Sequence, residues 1–404
     1  MKIINTIIFF LFLISYEIFF ILSSNTVNAY DTSVYVGAEN SKEMYSYLVT
    51  FTVLALGLFV NLQYFKGQDK IFYLFLSYFI FVCASSFCTT FNMGIKTTGT
   101  ALVFSAVPAM TFMLFYLFSV NNWINYRTYF ISILVVVILN IILFSKFYSF
   151  FTFMSDQRFH FQNFYVLFFL LPWLLLSKNK AFVFFVLVIF AFLAIISTRR
   201  AVVLSFFAML PINQMSIVFS NRKNVSGSFI IVTFVIIALI CIVYKIMELS
   251  FILERFSLIK EDGGSGRLDL YSYILSSIFN SNPLNCLFGH GAYFGVRDLT
   301  MKMEITGAHN DFLGTFYDLG IIGFFILVSI CYLLWKRYVS LCRFSSPFAP
   351  AMGASLVFLL IISNVSAVFL GSFSSLYLFA FWGFVIGDMQ SKLIYRNPII
   401  YPRY

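Results

Sequence analysis

Apolar runs of about 20 residues recur along almost the whole chain, from Ile3 to about residue 387, and that repetition fixes the class of fold. A run of this length crosses the hydrocarbon of a bilayer as a helix, the form in which every backbone amide is satisfied without water. Hydrophobic residues make up 61% of the 404 and charged residues 10%, more apolar surface than a soluble fold can bury. The expectation is an all-α, polytopic membrane helix bundle, a single integral membrane domain over 1–404. The spans are predicted at about 3–23, 45–64, 71–91, 99–120, 128–145, 161–177, 181–198, 201–219, 228–247, 315–335, 348–364 and 370–387, about twelve transmembrane helices in all. Pro108, Pro172, Pro211 and Pro350 fall inside them, where neighbouring helices can re-satisfy a freed carbonyl.

The net charge of +10 comes from basic residues scattered between apolar runs, with no dense stripe, so nucleic acid is not an expected partner. These residues mark topology instead. Fourteen, among them Lys66, Lys70, Arg337, Arg343 and Lys392, lie on one side of the predicted spans, against six, including Lys96, Arg199 and Arg200, in the short loops opposite. The positive-inside rule then puts the N and C termini in the cytoplasm and turns the loop over 248–312 outward, as one long extracytoplasmic loop with short helices. Val27, Asn28 and Ala29 resemble a signal-peptidase site, but the preceding run is long, carries Glu17 and is led only by Lys2, so the first span is expected to be retained. Of six cysteines, only Cys286 falls in the long polar loop, and there is no CxxC, no HExxH and no disulfide framework; neither a metal nor a cofactor is expected.

Two places depart from this apolar monotony. Arg199 and Arg200 split 39 nearly uncharged residues, Ala181 to Phe219, that as one helix would reach about 58 Å, so two crossings meet at an outer turn holding the pair. Arginines there either snorkel to headgroups or are used. The second place is the outer loop. After the turn-rich EDGGSG (Glu261 to Gly266), Tyr271, Ile274, Leu275, Ile278 and Phe279 recur at helical spacing, with Ser265 as a candidate cap and Arg267 in the first turn. A cation there opposes the helix dipole, so it serves either a bound anion or a neighbouring acid, Asp269 or Glu261. Asn282 and Pro283 end that helix. GHGAYFG (Gly289 to Gly295) then supplies tight turns without the spacing of a P-loop, and His290 reads first as a residue that stabilises the loop. AHND follows, with His309 and Asp311 at the start of an apolar helix, Phe312 to Trp335. Histidine suits proton transfer near neutral pH, and at the outer rim of a span it meets lipid-borne and aqueous reactants; its plainer role is a helix cap or an interfacial residue.

These residues together, STRR (Ser197 to Arg200), Arg267 with Tyr271, NPLNCLFGHGAYFG, and AHNDFLGTFYDLGIIGF, resemble the bacterial O-antigen polymerase and O-antigen ligase superfamily. The likeness is strongest from Arg267 to Phe324. It implies an inverting, metal-independent glycosyl transfer at the outer face of the inner membrane, from glycan repeat units carried on polyprenyl pyrophosphate. It also implies Arg199 or Arg200, Arg267 and His309 as functional positions. The chemistry agrees: pyrophosphate leaves without being protonated, so fixed arginines suffice, while a sugar hydroxyl needs one base, for which His309 is the candidate. Asp311 or Asp318 would orient it, Tyr271, Tyr273, Tyr293 and Tyr317 would stack on sugar rings, and His290 would also contact the glycan. The expected partners are thus the lipid-linked oligosaccharide and membrane lipid, with a chain-length regulator and a flippase as further candidates. The loop is short for a ligase that admits a complete lipid core, which favours polymerase. Alternatives are the ligase, a lipid-linked glycan transporter, and a metal-using transferase with its acid among Asp31, Glu39 and Glu43.

Overall fold

The computed structural model describes residues 1–25, 42–93, 95–153, 163–196, 200–220, 267–303, 308–365, 368–369 and 375–396. The described residues form fourteen α-helices: α1 (Lys2–Asn25), α2 (Lys42–Val60), α3 (Lys70–Met93), α4 (Ile95–Val120), α5 (Tyr126–Phe153), α6 (Asn163–Leu174), α7 (Lys180–Ile196), α8 (Arg200–Ser220), α9 (Arg267–Phe279), α10 (Pro283–Phe288), α11 (Phe294–Met303), α12 (Asp311–Arg343), α13 (Ala349–Val365) and α14 (Leu376–Arg396). Eleven of the expected spans coincide with one of these helices; the ninth, 228–247, lies outside the described residues, as do Val27 to Ala29, Ser197 to Arg199, the EDGGSG segment and Cys241. By length and composition, Lys70–Thr89, Ala101–Val120, Tyr126–Leu143 and Asp311–Arg343 can cross a membrane, and shorter apolar helices accompany them. The chain is a multi-pass membrane protein. α7 and α8 flank Ser197 to Arg199, which lie outside the described residues.

The bundle is built around α4 and α14, buried on nearly every side. Gly383 and Gly387, one turn apart on α14, make that contact possible: a Cβ on Gly383 would stand 2.4 Å from Phe112 O, and one on Gly387 2.5 Å from Tyr116 O. Small residues at this spacing let two backbones approach in lipid. Ser119 Oγ adds a hydrogen bond across the contact to Phe384 O at 2.8 Å. Around this pair, α3 packs on α4, α1 on α2, α6 on α14, and α8 on α13. Glu17, the acid inside the first span, is buried with both oxygens engaged, accepting from Tyr377 Oη at 2.6 Å and Asn140 Nδ2 at 3.0 Å. That tie anchors α1 to α5 and α14.

Arg337 of α12 pairs with Asp69 just before α3, and the Asp69 amide donates to Tyr116 Oη at 3.1 Å. Lys392 lies over the Phe348 ring and pairs with Asp388.

The fold differs from expectation in one decisive respect: α12 is not a straight rod. Gly320 sits at φ 66°, ψ −167°, outside helical space, and breaks the helix into residues 311–319 and 321–343. The segments fold back on each other. Phe316 and Phe324 bring their rings to 5.8 Å, and Cys331 lies within electrostatic reach of Asp311, which a straight helix would hold about 30 Å away. The expected span over 315–335 is therefore a short re-entrant segment followed by the crossing helix.

Candidate functional site

The break at Gly320 creates a demand that the glycine loop meets. Interrupting a helix orphans carbonyls, which must find other donors when buried. Tyr317 O accepts from His290 N at 3.2 Å and from His290 Nδ1 at 3.1 Å, and Asp318 O accepts from Gly291 N at 2.9 Å. The approach leaves no room for side chains: a Cβ on Gly289 would stand 2.1 Å from Asp318 O, and one on Gly320 2.4 Å from Leu287 O. Both glycines have positive φ, which L-residues adopt only under strain. Asn282 and Pro283 open α10 rather than only closing α9, since Asn282 accepts from Asn285 N at 2.7 Å with Pro283 in the first turn.

His290 is held by this machinery. A carbonyl can only accept, so Nδ1 carries the proton given to Tyr317 O, and Nε2 lies 3.0 Å from Ser281 Oγ. Its ring stacks on Phe294. Tyr293, at φ 64°, stacks on Phe104 at 5.5 Å between centroids. Burial, and then the Asp318 carboxylate, push its hydroxyl up to about 12. Asp318 is buried and accepts from Gly295 N at 2.6 Å.

At the other end of the re-entrant segment the AHND residues divide their tasks. Asn310 is the N-cap, its Oδ1 accepting from Phe312 N at 2.9 Å and Leu313 N at 3.0 Å. Asp311 is buried and accepts from Val368 N at 2.7 Å and Phe369 N at 3.1 Å, pinning the connection between α13 and α14. That leaves His309 just outside the helix, half-buried and in the left-handed region at φ 47°, so the plainer role of helix cap falls to its neighbour.

α9 runs beside this segment. Leu270, Ile274 and Ile278 form a small core with Leu299 and Tyr317. Tyr271 Oη lies 3.5 Å from His309 O and 3.3 Å from Asn364 O, tying the start of α9 to the histidine and to the end of α13. Arg267 is one turn before Tyr271 on the same helix face, half-buried, and has no ion-pair partner among the described residues; Asp269 does not pair with it, and Glu261 lies outside them. Arg200 is the first residue of α8, which packs along α13. Arg199 lies outside the described residues.

A second clamp had no clear signal in the sequence. Asp298 of α11 accepts from Tyr317 Oη at 2.8 Å and Tyr273 Oη at 3.0 Å, and pairs with Lys302 Nζ at 2.8 Å. Burial alone would raise its carboxyl, but the bonds from Lys302, Tyr317 and Tyr273 outweigh that and hold it below the usual carboxylate range. The same bonds raise the Lys302 ammonium. One acid thereby fixes α9, α11 and α12 together. Tyrosines at 273 and 317 and an acid at 298 carry no common spacing, so only the fold unites them.

A family model described as O-antigen ligase matches residues 164–328, a stretch that runs from α6 into α12. Over that stretch the chain is similar to the O-antigen polymerase and ligase superfamily. The matched stretch contains every expected site residue, from Arg199 and Arg200 through Arg267 and His290 to His309 and Asp318. No curated protein matches the chain. Among the described residues no cluster of three or more histidines, cysteines and acids stands ready to hold a metal ion.

Proposed function

We propose that the protein is a glycosyltransferase that polymerises oligosaccharide repeat units carried on polyprenyl pyrophosphate, from the outer face of the inner membrane, by inverting transfer without a metal. The observation that carries this reading is the Tyr271 hydroxyl at the His309 carbonyl, which sets the candidate base beside the helix that starts with Arg267. Arg267, lacking an acid partner among the described residues, takes the pyrophosphate together with Arg200, the first residue of α8, or Arg199. The diphosphate leaves the anomeric carbon as an anion stabilised by fixed guanidinium groups. His309 takes the proton of the incoming sugar hydroxyl, a contribution of about 10²- to 10⁴-fold. A non-glycine residue held in the left-handed region is the kind of local strain that gathers at working sites. Asp311 acts by positioning, since its carboxylate spends itself on the Val368 and Phe369 amides; Asp318 does the same for the glycine loop. Tyr271, Tyr293 and His290 line the path of the glycan.

A second reading, the ligase that moves finished glycan to a lipid acceptor, is favoured by the description of the matching family model. One experiment separates them. In cells lacking the native gene, His309→Ala and Arg267→Ala chains are expressed at matched abundance and surface glycan is resolved by gel. A polymerase leaves single repeat units on their acceptor, a ligase leaves none attached, and a transporter leaves repeats trapped inside. A ladder of normal length from both variants overturns the assignment.

A further inference from the structure

Three buried hydroxyls at the contact between α3 and the re-entrant part of α12 have no hydrogen-bond partner among the described residues: Tyr78 Oη, Ser85 Oγ and Thr315 Oγ1. Tyr78 and Thr315 are fully buried and Ser85 is 5% exposed. Tyr78 and Ser85, seven residues apart, share a face of α3; Thr315 lies one turn from Asp311 and one from Asp318 on a shared face of α12. Tyr78 is within electrostatic reach of both carboxylates, so this face of α3 meets the face of α12 that carries Asp311 and Asp318. Hydroxyls in the middle of a helix ordinarily donate to the carbonyl four residues back, as Ser86, Thr111 and Ser205 do here. Ser85 and Thr315 make no such bond.

Buried polar groups find a partner in nearly every native structure, and a cluster of orphans commonly means ordered water. A buried water needs two to four polar partners, and this seam offers three hydroxyls and two carboxylates. Each carboxylate accepts from backbone amides, and a carboxylate has room for about four donors, so its burial is better compensated with further donors beside it.

We propose that the seam between α3 and the re-entrant segment of α12 is a water-binding site, in which ordered water bridges Tyr78, Ser85 and Thr315 and hydrogen-bonds the carboxylates of Asp311 and Asp318. The chain of water joins the acid that pins the His309 end of the segment to the acid that pins the glycine loop. The assignment stands on the packing of α3 against α12 and does not depend on which glycan is transferred.

X-ray hydroxyl-radical footprinting of the full chain in lipid nanodiscs, read residue by residue by mass spectrometry, tests it, because radicals born from bound water mark adjacent side chains without access to bulk solvent. Tyr377 is the internal reference, equally buried but hydrogen-bonded to Glu17. Tyr78 is expected to be modified several-fold faster than Tyr377, and Ser85→Ala with Thr315→Val to bring it down to the Tyr377 rate. Equal rates in the native chain mean a dry seam and overturn the proposal, a comparison that stands even if the double variant does not fold. Fast Tyr78 modification that the double variant leaves unchanged places the water elsewhere and equally overturns it.

Discussion

The contact between α4 and α14 and the contact between the glycine loop and α12 are both close enough to exclude a Cβ, yet opposite chemistry holds them. In the first, Gly383 and Gly387 bring two regular helices together, and large apolar side chains on every side share the load. In the second, Gly289, Gly291 and Gly320 bring irregular backbone against a broken helix, and a few hydrogen bonds to His290, Gly291 and Asp318 carry it. A dispersed contact of the first kind can yield by sliding one helix along another. The second cannot yield without orphaning buried carbonyls. The region nearest the proposed chemistry is thus the less tolerant, although it buries less apolar surface.

Substitutions can break that contrast. Gly320→Ala is expected to do the most damage, since it combines a positive φ with a Cβ against Leu287 O and Gly289 N; a loss of at least about 3 kcal/mol, or collapse of abundance, should appear in detergent thermal-shift measurements. Gly387→Ala meets a backbone oxygen at a similar distance, but the helices can shift, so about 1–3 kcal/mol is expected by the same assay. Equal losses from the two substitutions would remove the distinction.

Asp298→Asn sharpens it from the acid side. The folded-state pKa of Asp298 is depressed, so its contribution is present above the ordinary carboxylate range and is lost as pH falls through the lower folded value. The native chain should lose thermal stability on acidification below about pH 4, and the variant, already lower at pH 7, should lose less over that window. Phe59→Ala, at a position 71% exposed and facing lipid, is the smallest effect expected, within about 0.5 kcal/mol.

Much of the bundle was legible because apolar run length maps directly onto membrane thickness: α3, α4, α5, α13 and α14 begin and end within a few residues of the expected spans, apart from helical extensions past the core. Arg267 at the first turn of α9 and His309 beside α12 also followed from residue type and order. The break at Gly320 did not. Its glycines were visible in DLGIIG, but a glycine in a helix pattern reads as tolerated until the partner loop at Gly289 is in view. The Gly383 and Gly387 spacing is a small-residue motif legible in the sequence itself. The partners of Asp311 were out of reach, because Val368 and Phe369 lie more than fifty residues downstream and offer only backbone amides.

The central claim is that Arg267 and His309 act as one site. It is tested most directly by a double-mutant cycle on transfer rate, using purified protein in nanodiscs and a polyprenyl-pyrophosphate oligosaccharide donor. Residues that serve the same transition state lose activity together, so each alanine variant is expected to fall by about 10²- to 10⁴-fold and the double variant little further. Losses that multiply, or a single variant that keeps the native rate at native abundance, would contradict it.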